Sequence, residues 1–303
     1  MLETLAPDLL VLQYTPLMYA GAGGMQNAGL ARFWSECGAR WRTVLVVHET
    51  YFRTWRHPPS LIKGSMEKWM LKRMVQASHK VFTASEPLFE EIRRWGVPAT
   101  SVSLLPIGSG IPRRAIDRGA LRRRHGIGEG EVILALFGGG EALHQSSSYA
   151  NEVDAEMTRR GIQARWLLLG AVERDWFKFT LPVISPGYLP AEDLSAWLQV
   201  ADILLAPHSC GMSAKRSGVM AALEHGLPVV GTRGAMTDSF WSGMEGVSLV
   251  EMPGERQFAE SAARLGGQEQ LRRKHGEANR SYFEANLTWK KLTNQLLEAI
   301  PRQ

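Results

Sequence analysis

The feature that most constrains this chain is a series of short, unbroken apolar runs. They fall at Leu9 to Tyr14, Val44 to His48, Lys80 to Ala84, Val102 to Leu105, Val132 to Phe137, Arg165 to Leu169, Ile203 to Ala206 and Val229 to Gly231. A strand with one wet face alternates polar and apolar residues, and most of these runs do not alternate. Continuous runs predict strands buried on both faces, as in a parallel sheet covered by helices. Longer amphipathic stretches separate them, among them Ser65 to Ala77, Glu86 to Trp95, Tyr149 to Arg160 and Ala191 to Val200. Strands alternating with helices predict an α/β, doubly wound architecture.

The length of 303 residues suits two domains of ordinary size or one large one. A hydrophobic fraction of 45% with 21% charged residues excludes disordered, collagen-like and coiled-coil classes. Only Cys37 and Cys210 occur, too few to staple a chain this long, so a cytoplasmic, reducing compartment is expected. Neither has a Cys or His neighbour at zinc-ligand spacing, and no structural zinc is expected. Lys plus Arg is 35 against 30 for Asp plus Glu, a formal charge of +5. That balance suits an anionic small molecule, a membrane surface or nucleic acid, and does not choose among them. The amino terminus lacks the basic start of a signal peptide, and no apolar run approaches the ~18 residues of a membrane span.

Pro106 to Pro112 is rich in Gly and Pro and precedes the basic run Arg113 to Arg124, which reads as a hinge. The predicted organisation is an N-terminal domain over 1–108, a second α/β domain over 109–280 and a closing segment over 281–303. That tail reads as helical from Asn279 to Ile300, with Trp289 as an anchor, and is expected to pack back on the N-terminal domain.

The most informative stretch runs from His208 to Gly231. A polar loop follows the strand Ile203 to Ala206 and leads into a short helix with Ser217 as its expected N-cap and Gly226 with Pro228 as its stop. Helix N–H groups, Lys215 and Arg216 then converge at the carboxyl end of a strand, an anion site suited to a phosphate or diphosphate. Read alone, the same loop also fits a solvated helix start carrying two surface cations. Glu224, further along the helix, suits either a sugar or ribose hydroxyl or plain solvent.

At this point a resemblance emerges. The segments PDLLVLQY (from Pro7), VLVVHE (from Val44), ASHKVFTASEPLFEEI (from Ala77), LLPIGSGIP (from Leu104), GYLPAEDLSAWLQVADILLAPHS (from Gly187), GVMAALEHGLPVVGT (from Gly218) and YFEANLTWKKL (from Tyr282) occur in the order of the corresponding stretches of GT-B glycosyltransferases. The chain most closely resembles the retaining family 4 of that group. The resemblance implies two Rossmann-like, doubly wound parallel-sheet domains facing a cleft. It implies transfer of a hexose-type sugar from a nucleotide-diphosphate sugar to a polysaccharide, lipid-linked or natural-product acceptor, with retention and without a metal.

The resemblance also implies site residues. Lys215, Arg216, Ser217 and Gly218 would hold the diphosphate, and Glu224 would contact the ribose. Gly187, Tyr188 and Leu189 would place the base. Gly138, Gly139 and Gly140 would let the backbone approach the donor. His48 would meet the transferred sugar. On sequence alone, His48 also fits a satisfied strand-end histidine and the glycine triplet a plain turn.

Three departures stand out. Arg216 occupies the place of the first glutamate of the family's glutamate pair; one branch has a basic-Ser-Gly sequence there. Glu141 and His144 stand where a basic pair is common. The N-terminal domain reads as shortened, with Ala20 to Gly24 a poor substitute for the usual glycine-rich loop. A non-catalytic or partner-dependent relative with a truncated acceptor domain is therefore the alternative. A third reading, a sugar-nucleotide epimerase of the same fold, lacks support, because this sequence shows no clear carboxylate pair of the kind its acid/base chemistry needs.

Other features have simpler expectations. Lys63 to Lys80 is basic and amphipathic with Trp69, Met70 and Met74; it fits a helix covering the sheet, and also peripheral contact with the inner face of an anionic membrane. Arg113 to Arg124 has no aromatic residue, so no nucleic-acid partner is expected. Asp202 and Asp238 read as caps or solvent-facing acids. His208, beside the phosphate loop, fits ligand contact or loop packing equally.

Overall fold

The computed structural model describes residues 2–5, 7–19, 26–49, 58–139, 144–145 and 147–300. The chain divides into two compact units, Met1–Pro106 with Thr293–Gln303, and Ile107–Leu292.

The first unit carries α1 (Leu2–Leu5), β1 (Leu9–Tyr14), α2 (Pro16–Tyr19), α3 (Gln26–Gly38), β2 (Arg42–Val47), α4 (Pro58–Gln76), β3 (Lys80–Thr83), α5 (Glu86–Arg93) and β4 (Val102–Leu104). Its four strands are parallel and lie in the order β1-β2-β3-β4. The unbroken apolar runs of β2 and β3 are buried on both faces, as their sequence requires. One face packs with Trp34, Met70, Leu71 and Met74 from α3 and α4. The other meets Leu296, Ala299 and Ile300 of the returning tail. β1 is an edge strand, and its mixed burial with Val11 45% exposed follows from having one neighbour only.

The second unit carries α6 (Arg118–Arg124), β5 (Val132–Gly139), α7 (Ser147–Arg159), β6 (Ala164–Ala171), β7 (Val183–Ile184), α8 (Ala191–Val200), β8 (Ile203–Ala206), α9 (Ser217–Glu224), β9 (Val229–Arg233), β10 (Val247–Glu251), α10 (Glu255–Gly267) and α11 (Glu269–Asn286), followed by α12 (Trp289–Glu298), whose later residues belong to the first unit. Its six parallel strands are ordered β10-β9-β8-β5-β6-β7. Alternate residues of β5 enter opposite layers. Val132, Leu134 and Leu136 pack with Tyr149, Val153 and Met157 of α7 and Phe258 of α10, while Ile133 and Ala135 pack with Leu198 of α8 and Val219 of α9. Each fully buried side chain of this size contributes about 1.5–3 kcal/mol, which makes the two layers the main support of the sheet.

Eight of the ten strands coincide with the apolar runs, with ends shifted by a residue or two. β7 and β10 do not follow from such runs. β7 has two residues, and β10 is an edge strand with three half-buried positions before Val250. The tail is two helices rather than one, broken between Asn286 and Trp289. Trp289 does anchor it. Its Nε1 donates to Ser109 O at 2.7 Å, and its ring lies where a Cβ on Gly108 would sit, 3.0 Å away.

Candidate functional site

The sheet order of the second unit determines where a ligand can enter. After β5 the chain runs outward to β6 and β7, then returns to β8 on the other side of β5. Connections therefore diverge between β5 and β8, and open α/β sheets take ligands at the carboxyl ends of the strands beside such a divergence. A cavity of about 170 Å³ lies there, lined by Phe137 to Gly139 of β5, Leu204 to Ala206 of β8, His208 and Lys215 to Val219. Its size suits a phosphate group or two more than a whole nucleotide sugar.

The loop from β8 to α9 is held from beneath by β9 and the turn after it. Thr232, fully buried, accepts from the His208 N–H at 2.9 Å and donates to His208 O at 2.7 Å. Its carbonyl accepts from Met212 N. Gly211 adopts φ +88°, and a Cβ there would lie 2.2 Å from Thr237 Oγ1, so only glycine fits this turn. Asp238 is 1% exposed and accepts from Ala214 N at 2.5 Å. These bonds position Lys215 and Arg216 at the mouth of α9.

Arg216, not Ser217, is the N-cap of α9, with Ser217 the first helical residue. No side chain caps the helix. The N–H groups of Val219 and Met220 donate to Arg216 O. Those of Ser217 and Gly218 precede any intrahelical acceptor and lie along the cavity wall. Gly218 favours this approach, because a Cβ would come 3.1 Å from Phe137 O and crowd β5. The helix ends as its sequence requires. Gly226 has φ +72°, Leu227 N donates to Ala222 O and Gly226 N to Leu223 O, a left-handed glycine stop.

The cavity thus brings together Gly138, Gly139, Lys215, Arg216, Ser217 and Gly218. Gly140 and Glu141 lie outside the described residues, as does the loop Ala20 to Gly24. Gly187, Tyr188 and Leu189 do not line the cavity; Tyr188 is 94% exposed and Leu189 packs on the core. Glu224, at the far end of α9, accepts from Arg113 N at 3.1 Å. Beside it Ser195 accepts from Arg114 N and meets His225 Nε2 at 2.9 Å, so this cluster ties the segment after the hinge to α8 and α9. His48, in the first unit, follows β2. Its Nε2 meets Gln13 Oε1 at 2.6 Å, and its N–H donates to Tyr14 O.

One acid keeps an expected cap position and the other departs from the sequence reading. Asp238 stands at the N-cap position of the 3-10 turn Ser239–Gly243, and its buried carboxylate also anchors the loop. Asp202 accepts from Ile133 N at 2.8 Å and pairs with Arg118 and Arg122, joining the basic run to the sheet. Neither faces solvent alone. Much of the basic run is thereby structural.

A larger cavity of about 580 Å³ lies at the opposite edge of the same sheet, where Glu131, Asp202 and Pro228 precede β5, β8 and β9. Several of its cations are already engaged, Arg118 and Arg122 by Asp202 and Arg272 by the carbonyls of Leu265 and Gly266. Size alone therefore does not make it the ligand site. Among the described residues no three His, Cys, Asp or Glu side chains gather as metal ligands.

His208 is the residue whose place sequence left open. It lines the small cavity, and its Nδ1 has no hydrogen-bond partner among the described residues. Burial, reinforced by the charge of Arg216, pushes its pKa down to about 3 from 6.5. The unfolded chain binds a proton on this ring near pH 6.5 and the folded chain does not until near pH 3, so its contribution to stability is complete above the first value and lost on descending toward the second. From about pH 7 to about pH 5 that loss is on the order of 2 kcal/mol. His225 and His275, also pushed down chiefly by burial, act in the same direction. The melting temperature is expected to fall over this interval, and His208→Asn to fall less. An unchanged pH dependence in the variant would contradict this role.

No family model matches the chain, and no curated protein matches it by sequence. Solved structures do match in fold. Sucrose-phosphate synthase from Thermosynechococcus elongatus superposes with a TM-score of 0.71 at 14% identity, over 98% of this chain and 74% of that one. HepE from Anabaena, solved with UDP and glucose, gives 0.66 at 13% identity, over 96% and 77%. WaaG, a glycosyltransferase involved in lipopolysaccharide biosynthesis, gives 0.55 at 14% identity, over 97% and 100%. The α/β fold with two parallel sheets is that of these GT-B glycosyltransferases.

Proposed function

We propose that the chain is a glycosyltransferase of the retaining family 4 type. It would move a hexose-type sugar from a nucleoside-diphosphate sugar to a polysaccharide, lipid-linked or natural-product acceptor. A cytoplasmic site of action goes with that donor. The observation that carries the reading is the cavity between β5 and β8, where Lys215, Arg216 and the first N–H groups of α9 face one small space. HepE, of the same fold, was solved with UDP-glucose as well as with UDP.

The chemistry follows from that charge arrangement. The bond between the sugar's anomeric carbon and the β-phosphate oxygen breaks, and the acceptor hydroxyl oxygen bonds to the same carbon and passes its proton to the departing phosphate oxygen. Negative charge grows on the departing diphosphate, and donors already aimed at it lower the barrier without reorganising. Lys215 and Arg216 supply full charge, Ser217 and Gly218 supply N–H groups, and Gly138 and Gly139 leave room for the phosphate. His208 stays neutral and is placed to donate a ring N–H. His48 is assigned to the transferred sugar. Glu224 is assigned to the ribose, a role that requires it to exchange or share its bond to Arg113 N. No protein nucleophile and no metal is assigned.

Calorimetric titration with UDP, GDP, UDP-glucose and uridine tests the reading. A nucleoside diphosphate is expected to bind and uridine alone to bind far more weakly, since the diphosphate supplies the charged contacts. A folded protein that binds none of them is not a transferase of this kind, and the non-catalytic or partner-dependent alternative would replace it.

A further inference from the structure

The helix α4 (Pro58–Gln76) carries two apolar faces, and only one of them is covered. Met70, Leu71, Met74 and Val75 are buried in the first unit's core. On the other side Ile62, Met66 and Trp69 are 67%, 43% and 56% exposed. Their spacing of four and then three residues puts them in one stripe along the helix. With Ser65 they line a shallow depression of about 440 Å³. Arg73 continues the stripe, its guanidinium 5.0 Å from the centre of the Trp69 ring.

The exposed charges that the helix itself sets beside this stripe are all cations. Lys63, Lys68 and Arg73 are exposed and Lys72 is half-buried. The only acid on the helix, Glu67, is fully buried on the covered side. An apolar stripe holding a tryptophan, with Lys63, Lys72 and Arg73 along it and Lys68 turned to Glu91 of α5 at 3.9 Å, has the composition of a helix lying in the headgroup region of an anionic bilayer. A second copy of the chain fits poorly, because a two-fold contact through this stripe would set these cations against their own counterparts. No helix among the described residues is long and apolar enough to cross a membrane. Contact would therefore be along the surface.

We propose that the exposed face of α4, with Ile62, Met66 and Trp69 inserted and Lys63, Lys72 and Arg73 at the headgroups, docks the protein on an anionic lipid surface. This does not rest on the transferase reading. Vesicle binding and nucleotide binding are separate measurements and fail separately.

The test is sedimentation of the full chain with vesicles of equal parts phosphatidylcholine and phosphatidylglycerol, and with vesicles of phosphatidylcholine alone. Binding is expected to the first and not the second, and to weaken as salt is raised. The Met66→Ser/Trp69→Ser variant and the Lys72→Glu/Arg73→Glu variant should each lose about tenfold or more in affinity. The substituted side chains lie outside the core, so both variants should keep the wild-type circular dichroism. Failure of the wild type to bind anionic vesicles overturns the proposal. So does unchanged binding by a folded Met66→Ser/Trp69→Ser variant. A wild-type dimer in sedimentation velocity that this variant dissolves would assign the face to a second copy instead.

Discussion

The Lys215→Ala/Arg216→Ala variant is expected to bind a nucleoside diphosphate about 100-fold more weakly than the wild type, with its melting temperature little changed. Hydrogen bonds to charged groups contribute about 1.5–3 kcal/mol each, and every 1.4 kcal/mol is about tenfold in affinity. Both side chains are half-buried, so solvent screening places the combined loss near the low end of the sum. Binding should persist in part, because the N–H groups of Ser217 and Gly218 and the helix dipole remain. The folded state should tolerate the change, since the loop backbone keeps its bonds to Thr232 and Asp238 in the variant. Calorimetric titration with UDP beside a thermal melt checks both parts. Equal affinity for the two proteins would place the diphosphate elsewhere.

Asp154→Ala is expected to produce the largest loss of stability, on the order of 4 kcal/mol. Asp154 is 2% exposed on the inner face of α7. Its Oδ1 accepts from Trp166 Nε1 at 2.8 Å and Leu181 N at 3.2 Å; its Oδ2 accepts from Thr180 N at 2.9 Å and Thr180 Oγ1 at 2.5 Å. One carboxylate thus fastens β6 and the segment entering β7 to α7. That segment also stacks Phe179 on Trp166, centroids 4.1 Å apart. Alanine leaves four donors without their acceptor, and each such buried group costs about 1–3 kcal/mol, partly relieved by water. Urea unfolding followed by circular dichroism reads the difference. A change below about 1 kcal/mol would mean the network contributes little net stability.

The central strands were legible because burial on both faces leaves an unbroken apolar run, as in Leu45 to Val47 and Ile203 to Ala206. β10 was not, because Val247, Ser248 and Leu249 at a sheet edge are only half-buried and look like loop sequence. Strand order was out of reach as well. Nothing local in Val132 to Gly139 says that β8 returns beside β5, and that return creates the cavity.

The candidate site divides the same way. Lys215 to Gly218 could be found because a helix start has a local signature. Its exact cap differs by one residue, since Ser217 is a good capping residue by type but is already the first helical residue, with Arg216 in extended backbone before it. Asp238 and His208 were not resolved, because their burial depends on Ala214, Thr232 and Arg216 arriving from other parts of the fold. The stretch from Lys63 offered Trp69, Met70 and Met74 as one amphipathic set. The structure separates them, with Met70 and Met74 in the core and Trp69 outside with Ile62 and Met66. A helix with apolar residues on two faces cannot be assigned a buried side from periodicity alone.

A crystal structure of the protein with UDP tests the central claim most directly. The expected result is a β-phosphate within hydrogen-bonding distance of the N–H groups of Ser217 and Gly218, with Lys215 or Arg216 on its oxygens. UDP seated instead among Arg118, Arg272 and Arg273 at the amino edge of the sheet would contradict it.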